Sequence, residues 1–375
     1  MIPLNPNLTG LQRSGIRQYT NLAAQTPGCI KLTLGEPDFD TPQPIKDALT
    51  RALREGQTHY APNQGTPALR EAVAAYETKR GFACSAEQVL ITVGATGALF
   101  TALLGILGPG DELVVPMPAF PLYQSIATIA GAKLVGLDTA PWDFQLTEAA
   151  LNQVITPKTK AILLNSPNNP TGAIYTDQSL KAVKAAVGEK PIYIVCDTVY
   201  GQLCATACPD LSLDPDLRDR VLLCQSFSKP YAMTGWRAGY LIGPAEVMDR
   251  LLLLHAANLA AVPTFVQAAC ITALETDVAE MAESYRLRGQ YVSQRLKDMG
   301  LSFPTPAGAF YAFPDISRFG MDSGTFCTRL IREGKVATVP GSCFGAEGHI
   351  RISYCCAQSD LEQGMDRLAQ FLSTI

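Results

Sequence analysis

The chain is poor in charge. Only 17% of its 375 residues are Asp, Glu, Lys or Arg, the formal net charge is −4, and no Lys/Arg block stands out. That balance argues against nucleic acid and against an anionic membrane surface as partners. Histidine is scarce as well: His59, His255 and His349 lie far apart and fall into no ligand spacing, so no metal site is expected. The eleven cysteines are odd in number and contain no Cys-x-x-Cys pair, which suits reduced, mostly buried thiols rather than a disulfide framework. The first residues show no basic region followed by an apolar block, so no secretory signal is expected and a cytoplasmic location is the default. Internal repeats, low-complexity tracts and flexible linkers are also missing.

What is present is apolar. Hydrophobic residues make up 47% of the chain, which excludes general disorder. Three stretches carry no formal charge, residues 88–110, 113–132 and 251–274, and each is long enough to raise the question of a membrane span. Gly94, Gly97, Gly105 and Gly108-Pro109-Gly110 interrupt the first, prolines the second, and Pro263 the third. Acidic residues flank the first on both sides, giving no positive-inside signal. Buried strands and helices of a large soluble core are the better reading.

From about Glu87 to Gly243 short apolar runs alternate with helical patterns. Val89–Val93, Glu112–Pro116, Lys133–Leu137, Ala161–Leu164, Ile192–Cys196, Val221–Cys224 and Gly239–Gly243 read as strands; Gly97–Leu107, Phe120–Ala130 and Asp177–Val187 read as helices. Such alternation argues for an α/β fold with a mostly parallel central sheet covered on both faces. After Pro263 the texture turns to mixed α+β, with a long charged segment over 277–299, a short run at Ala309–Phe313, a helix near 323–333, a strand at His349–Tyr354 and a final helix. Two domains are expected: a large one over 46–262, and a smaller α+β one formed by 1–45 together with 263–375.

Four segments carry candidate chemistry. Ser226-Phe-Ser-Lys229-Pro-Tyr-Ala-Met-Thr-Gly-Trp-Arg237 follows a buried strand, and a lysine there is either a solvated loop residue or a partly desolvated amine. A nearby arginine and burial both favour the free amine, the nucleophile that forms a Schiff base with an aldehyde. Gly94-Ala95-Thr96-Gly97 joins a strand to a helix, where free N–H groups and the helix dipole suit a phosphate, although such turns are also common packing solutions. It is neither a Walker sequence nor Gly-x-Gly-x-x-Gly. Asp197-Thr-Val-Tyr200 closes an apolar strand, placing a carboxylate where α/β sheets gather ligands; a helix-capping Asp is the alternative. Asn165-Ser-Pro-Asn-Asn169-Pro170-Thr-Gly172 builds a rigid loop at another strand end, with an Asn-Pro bond able to be cis.

Together, in this order and at these spacings, these segments resemble the class I/II aminotransferases of the fold type I pyridoxal phosphate enzymes. The resemblance extends from Ser14-Gly-Ile-Arg17 and Leu34-Gly-Glu-Pro-Asp-Phe39 to Arg351-Ile-Ser-Tyr354. It implies a ping-pong transfer of the amino group of an L-amino acid to a 2-oxo acid, 2-oxoglutarate foremost, through pyridoxamine phosphate. On the cofactor, pyridoxal 5′-phosphate, it implies that Lys229 forms the Schiff base and later carries the proton at Cα. Asp197 would pair with the pyridine nitrogen, Asn169 and Tyr200 with the ring oxygen, and Phe120 would stack on the ring. Ala95, Thr96, Ser226 and Arg237 would hold the phosphate, with Tyr60 reaching it from a neighbouring subunit of a homodimer. Arg351, with Gly35 and Asn169, would bind the substrate carboxylate, while Arg17 and Lys31 stay open between a distal carboxylate and solvent.

Details of the motifs are similar to the bacterial N-acetyl-diaminopimelate, aromatic and broad-specificity subgroup. The lack of Arg or Lys over 251–274 speaks against strict aspartate specificity. Two other functions compete: a carbon–sulfur β-lyase using the same lysine, aspartate and arginines, and a non-catalytic regulator retaining the fold.

Overall fold

The computed structural model describes residue 2, residues 5–204 and residues 208–375. It opens with helix α1 (Gly15–Ala24), strand β1 (Ile30–Lys31) and helices α2 (Gln43–Arg54) and α3 (Pro67–Lys79). An alternating region follows: β2 (Val89–Thr92), α4 (Gly94–Ile106), β3 (Glu112–Met117), α5 (Leu122–Ala130), β4 (Lys133–Asp138), α6 (Glu148–Val154), β5 (Thr159–Asn165), α7 (Asp177–Val187), β6 (Tyr193–Asp197), β7 (Val221–Ser226) and β8 (Gly239–Ile242). The remainder contains α8 (Ala245–Asn258), α9 (Thr264–Glu275), α10 (Ala279–Asp298), β9 (Tyr311–Ala312), α11 (Ser323–Arg329), β10 (Val336–Ala337), β11 (Val339–Pro340), β12 (Ile350–Ser353) and α12 (Gln358–Leu372).

All seven expected strand runs join one sheet, in the order β2-β8-β7-β6-β5-β3-β4. Only β8 runs against its neighbours. The strands are apolar on both sides because both faces are covered. Along β5, Ala161 and Leu163 point into a core shared with α4, α5 and α8, while Ile162 and Leu164 point into a core shared with α2, α3, α6, α7 and α9. The ends of the covering helices are marked locally. Thr176 accepts from Ser179 N at the start of α7, and Gly131, at φ 72°, ends α5 in the left-handed region that a Cβ disfavours.

A separate core gathers α10, α11 and α12 around β9 and β12, with Ile30 and Leu32 from the N-terminal segment. There β1 pairs in parallel with β10, and β12 lies between β11 and β9 in an antiparallel sheet. The N-terminal segment is thus stitched to the C-terminal part. Helix α9 lies beyond the expected division at residue 262, yet packs on α2 and α3 with Val266, Ala269, Cys270 and Ala273 in the core of the large sheet. No helix among the described residues is long and apolar enough to cross a membrane; the uncharged run over 88–110 is a strand, a turn and a helix. Among the described residues the cis peptide bonds are Met117-Pro118 and Ser166-Pro167, so Asn169-Pro170 is trans.

Candidate active site

Strands β5 and β6 end in step, with Asn165 paired to Asp197, while β7 pairs Cys224 with Asp197 and runs two residues further to Ser226. The loops leaving these ends, together with the start of α4, converge on a cleft of about 610 Å³. This is the carboxyl edge of the sheet, where an α/β fold leaves room for a ligand. Gly35, Ala95, Thr96, Phe120, Asn169, Asp197, Tyr200, Ser226, Lys229, Arg237 and Arg351 all line it. Tyr60 does not; its side chain stands 91% exposed elsewhere on the surface. Arg17 lines the mouth, whereas Lys31 does not reach the cleft.

Lys229 sits three residues past the end of β7, and its Nζ donates to the carbonyl of Gly35. Burial lowers its pKa from the ordinary 10.5 to about 8; Cys355 and Glu36 oppose the shift, while Arg237 and Arg351 add to it. About a tenth of the amine is therefore uncharged at pH 7, against well under a thousandth for an ordinary lysine, and that fraction can act as a nucleophile. At the end of β6, Asp197 accepts a hydrogen bond of 2.7 Å from the Tyr123 hydroxyl. Desolvation pushes its carboxyl up to about 6 against the pull of Tyr123. A buried carboxylate so disfavoured gains from any cation brought to it.

Two positive groups lack negative partners. Helix α4 starts at Gly94 with no side-chain cap from Val93, leaving its first N–H groups free. The Arg237 guanidinium lies so close that a Cβ on Gly94 would stand 3.0 Å from Nη2. Helix dipole and arginine repel one another unless an anion lies between them. Ser226 completes this corner, its hydroxyl accepting from Ser228 N at 3.0 Å. Across the cleft Arg351 is 2% exposed and held between the rings of Tyr311 and Phe344, 4.5 and 4.9 Å from their centroids. It donates to Asn169 Oδ1 at 2.9 Å and to the Thr33 carbonyl. Its buried Nε has no partner, and no carboxylate among the described residues lies in ion-pair reach.

The family model for aminotransferases of class I and II matches residues 27–368. The chain belongs to this family. A Bacillus subtilis protein named "Probable N-acetyl-LL-diaminopimelate aminotransferase" is 39% identical over 98% of this chain and 95% of its own length. "Aromatic-amino-acid aminotransferase 2" of Thermococcus litoralis is 38% identical over 98% of both. Among solved structures, the aspartate aminotransferase of Thermus thermophilus with maleate superposes with a TM-score of 0.94 at 35% identity, over 99% of this chain and 100% of that one. The aminotransferase fold here is accordingly fold type I, and the chain is an enzyme that moves an amino group from an amino acid to a 2-oxo acid with pyridoxal phosphate.

The residues present fit that cofactor. An amine, a buried carboxylate and an anion corner stand around one cleft, and the orphaned Arg351 Nε marks a separate place for a carboxylate. Several aminotransferase residues escaped the reading of the sequence. Tyr123 lies three residues past Phe120, in the first turn of α5, a spacing that could have flagged it. Asn165 accepts from Asn169 N at 2.9 Å and donates to the Asp197 carbonyl at 3.1 Å. Tyr311 carries Arg351 on its face and shares a 3.0 Å hydrogen bond with the hydroxyl of Tyr200. Its run Ala309–Phe313 carries no signal that separates it from any other short apolar run.

Asp197 sets a pH dependence for the cofactor-free protein. Its folded pKa of about 6 lies above the ordinary 3.8, so the fold holds the proton more tightly than the unfolded chain does. The stability gained this way is complete below about pH 4 and is lost as the pH rises through about 6. Asp197→Asn removes the buried charge and keeps an acceptor for Tyr123. Urea unfolding at pH 8 should show the apoprotein variant more stable than wild type by up to about 3 kcal/mol, with the gap closed below about pH 4 and amino transfer lost. A variant less stable at pH 8 would contradict desolvation as the cause.

Proposed function

We propose that this aminotransferase takes 2-oxoglutarate as its amino acceptor and accepts a range of L-amino acid donors rather than aspartate alone. One observation carries the reading: four cations line the cleft, Arg17, Lys229, Arg237 and Arg351, and three of them have a task. Arg17 is left, exposed at the mouth, in reach of a second carboxylate without being committed to one. An arginine in solvent gives a dicarboxylate modest help and does not exclude apolar side chains. The relatives named for N-acetyl-LL-diaminopimelate and for aromatic amino acids differ little in identity, so likeness alone selects no donor.

In this reading each lining residue has a role. The bound cofactor supplies an aldehyde that condenses with amines and a ring that draws electrons from the bonds at the substrate Cα. Lys229 provides the amine that holds the cofactor and, once released, moves the proton at Cα. Asp197 keeps a proton on the ring nitrogen, oriented by Tyr123. Asn169 and the Tyr200 hydroxyl bond the ring oxygen, and Phe120 covers one ring face. The N–H groups of Ala95 and Thr96, with Ser226 and Arg237, bind the phosphate. Arg351, the backbone of Gly35 and Asn169 hold the substrate carboxylate.

Two larger features belong to the same proposal. The enzyme works as a homodimer in which Tyr60 reaches the phosphate of the neighbouring subunit; a tyrosine 91% exposed suits such a role. The uncharged segment 251–274 lines none of its own cleft, so its lack of Arg or Lys would bear on substrate choice across the dimer. The chain divides into the large domain at 46–262 and the small domain at 1–45 with 263–375, except that α9 moves with the larger core. A cytoplasmic location suits its eleven unbridged cysteines.

Steady-state assays with paired acceptors test the role of Arg17. Arg17→Ala should raise KM for 2-oxoglutarate about three- to tenfold while leaving KM for pyruvate near wild type, the loss being that of a partly exposed ion pair. Equal changes for both acceptors would remove Arg17 from the reading. Mixing inactive Tyr60→Ala and Lys229→Ala subunits tests the shared site: hybrid dimers should regain part of the wild-type activity, and no recovery on subunit exchange would contradict it.

A further inference from the structure

The segment that joins β1 to α2 passes between Arg351 and Lys229 without regular secondary structure. Its conformation is set by groups from outside it. Arg351 donates to the Thr33 carbonyl, Lys229 to the Gly35 carbonyl, and the Thr234 hydroxyl to the Glu36 carboxylate. Between the first two, Leu34 presents its carbonyl to two side chains at the end of β12, those of Ser353, its last residue, and Cys355, just beyond it. Ser353 Oγ donates to it at 2.6 Å, and Cys355 Sγ lies 3.2 Å from it and 2.9 Å from Ser353 Oγ. Each side chain has a single hydrogen, so the hydroxyl is spent on Leu34 and the thiol either joins it there or props the hydroxyl. Both are buried, at 2% and 7% exposure, so water does not substitute for them.

We propose that Ser353 and Cys355 are positioning residues for Lys229, fixing the Leu34–Gly35 peptide so that the Gly35 carbonyl receives the lysine amine whenever the cofactor releases it. This rests on Lys229 being the lysine that condenses with the cofactor. A peptide plane is rigid, so pinning the Leu34 carbonyl restricts where the next carbonyl points. On the other side the Tyr311 hydroxyl packs against Gly35 in the space that a Cβ would take, so the strap is confined from both faces. With one N–H held on Gly35, the Nζ lone pair faces the cleft, takes the proton from Cα, and returns it as the ammonium form discharges. The proton count closes and the hydrogen bond to Gly35 persists throughout. Burial already biases the amine toward its neutral form, and the charged or titratable groups around it are Glu36, Cys355, Arg237 and Arg351, with Asp197, Tyr200 and Tyr311 on the same cleft.

The holoenzyme variants Ser353→Ala/Cys355→Ala and Ser353→Ala/Cys355→Ser test this by single-turnover absorbance with protiated and Cα-deuterated donor. Competitive acetylation of Lys229 in the apoproteins, read by mass spectrometry, gives a measure independent of turnover. Removing both donors should slow the single turnover about tenfold, enlarge the isotope effect, change donor KM less than the rate, and alter Lys229 acetylation. Restoring a donor with Ser at 355 should recover most of the rate and the wild-type acetylation. The resting absorbance band should persist in both variants, whereas its survival in Lys229→Ala would overturn the role of the lysine itself. Wild-type turnover and acetylation in the double-Ala variant, or no recovery with Ser, would overturn the proposal. Should the double-Ala variant not fold, Ser353→Ala and Cys355→Ala alone decide it: slower proton transfer in either supports the clamp, and wild-type isotope effects in both refute it.

Discussion

Positive groups held without negative partners organise this molecule. Arg351 is buried between two aromatic rings with an orphaned Nε, and Arg237 stands against the uncapped start of α4. Left alone, each arrangement costs free energy, since a buried cation loses its water and like charges repel. A phosphate at one and a carboxylate at the other would offset both. The distance between the two corners is spanned by Lys229 and Asp197, whose pKa values are shifted in opposite directions from their ordinary ones by the same cause, loss of water. A lysine driven toward neutrality and a carboxylate driven toward a cation suit an aldehyde-bearing pyridine held between two anion sites.

Placing these groups requires both cores to act together. The larger sheet sets Asn165 beside Asp197 and carries β7 two residues past their level, toward Lys229. Arg351 comes from β12 in the smaller core. Contact between them is fixed at Gly172, whose carbonyl accepts from Ala307 N at 2.9 Å and Gly308 N at 3.1 Å, and whose φ of 71° favours glycine. The strap over 33–36 makes the second link, with one carbonyl on Arg351 and another on Lys229. In the proposed assignment of Arg351 and Lys229, substrate binding and proton transfer share this short stretch of backbone.

Much of this was legible in the sequence. The seven sheet strands were visible because strands buried on both faces are written as continuous apolar runs, and the motif residues lay at strand ends, where the fold gathers ligands. The reversal of β8 was not legible, since Gly239–Gly243 has the same composition whichever way it runs. Nor was α9's allegiance to the larger core: its apolar faces do not name the surface they cover. Tyr123 and Tyr311 passed as core residues because a buried tyrosine looks the same in sequence whether its hydroxyl meets a carboxylate or packs in a wall. Tyr60 was singled out by resemblance alone, and it stands on the surface away from its own cleft. The Leu34 clamp was invisible because it joins residues more than three hundred positions apart.

If unpaired cations are the organising constraint, the anions of the ligand must supply much of its affinity. Calorimetric titration of the apoprotein with pyridoxal phosphate and with pyridoxal, which lacks the phosphate, measures this for wild type and Arg237→Ala. The account predicts that wild type prefers the phosphorylated ligand by about 100-fold or more, and that Arg237→Ala narrows the preference by about tenfold, as expected for loss of a charge-assisted contact. Equal binding of the two ligands by wild type, or a preference unchanged in Arg237→Ala, would contradict it.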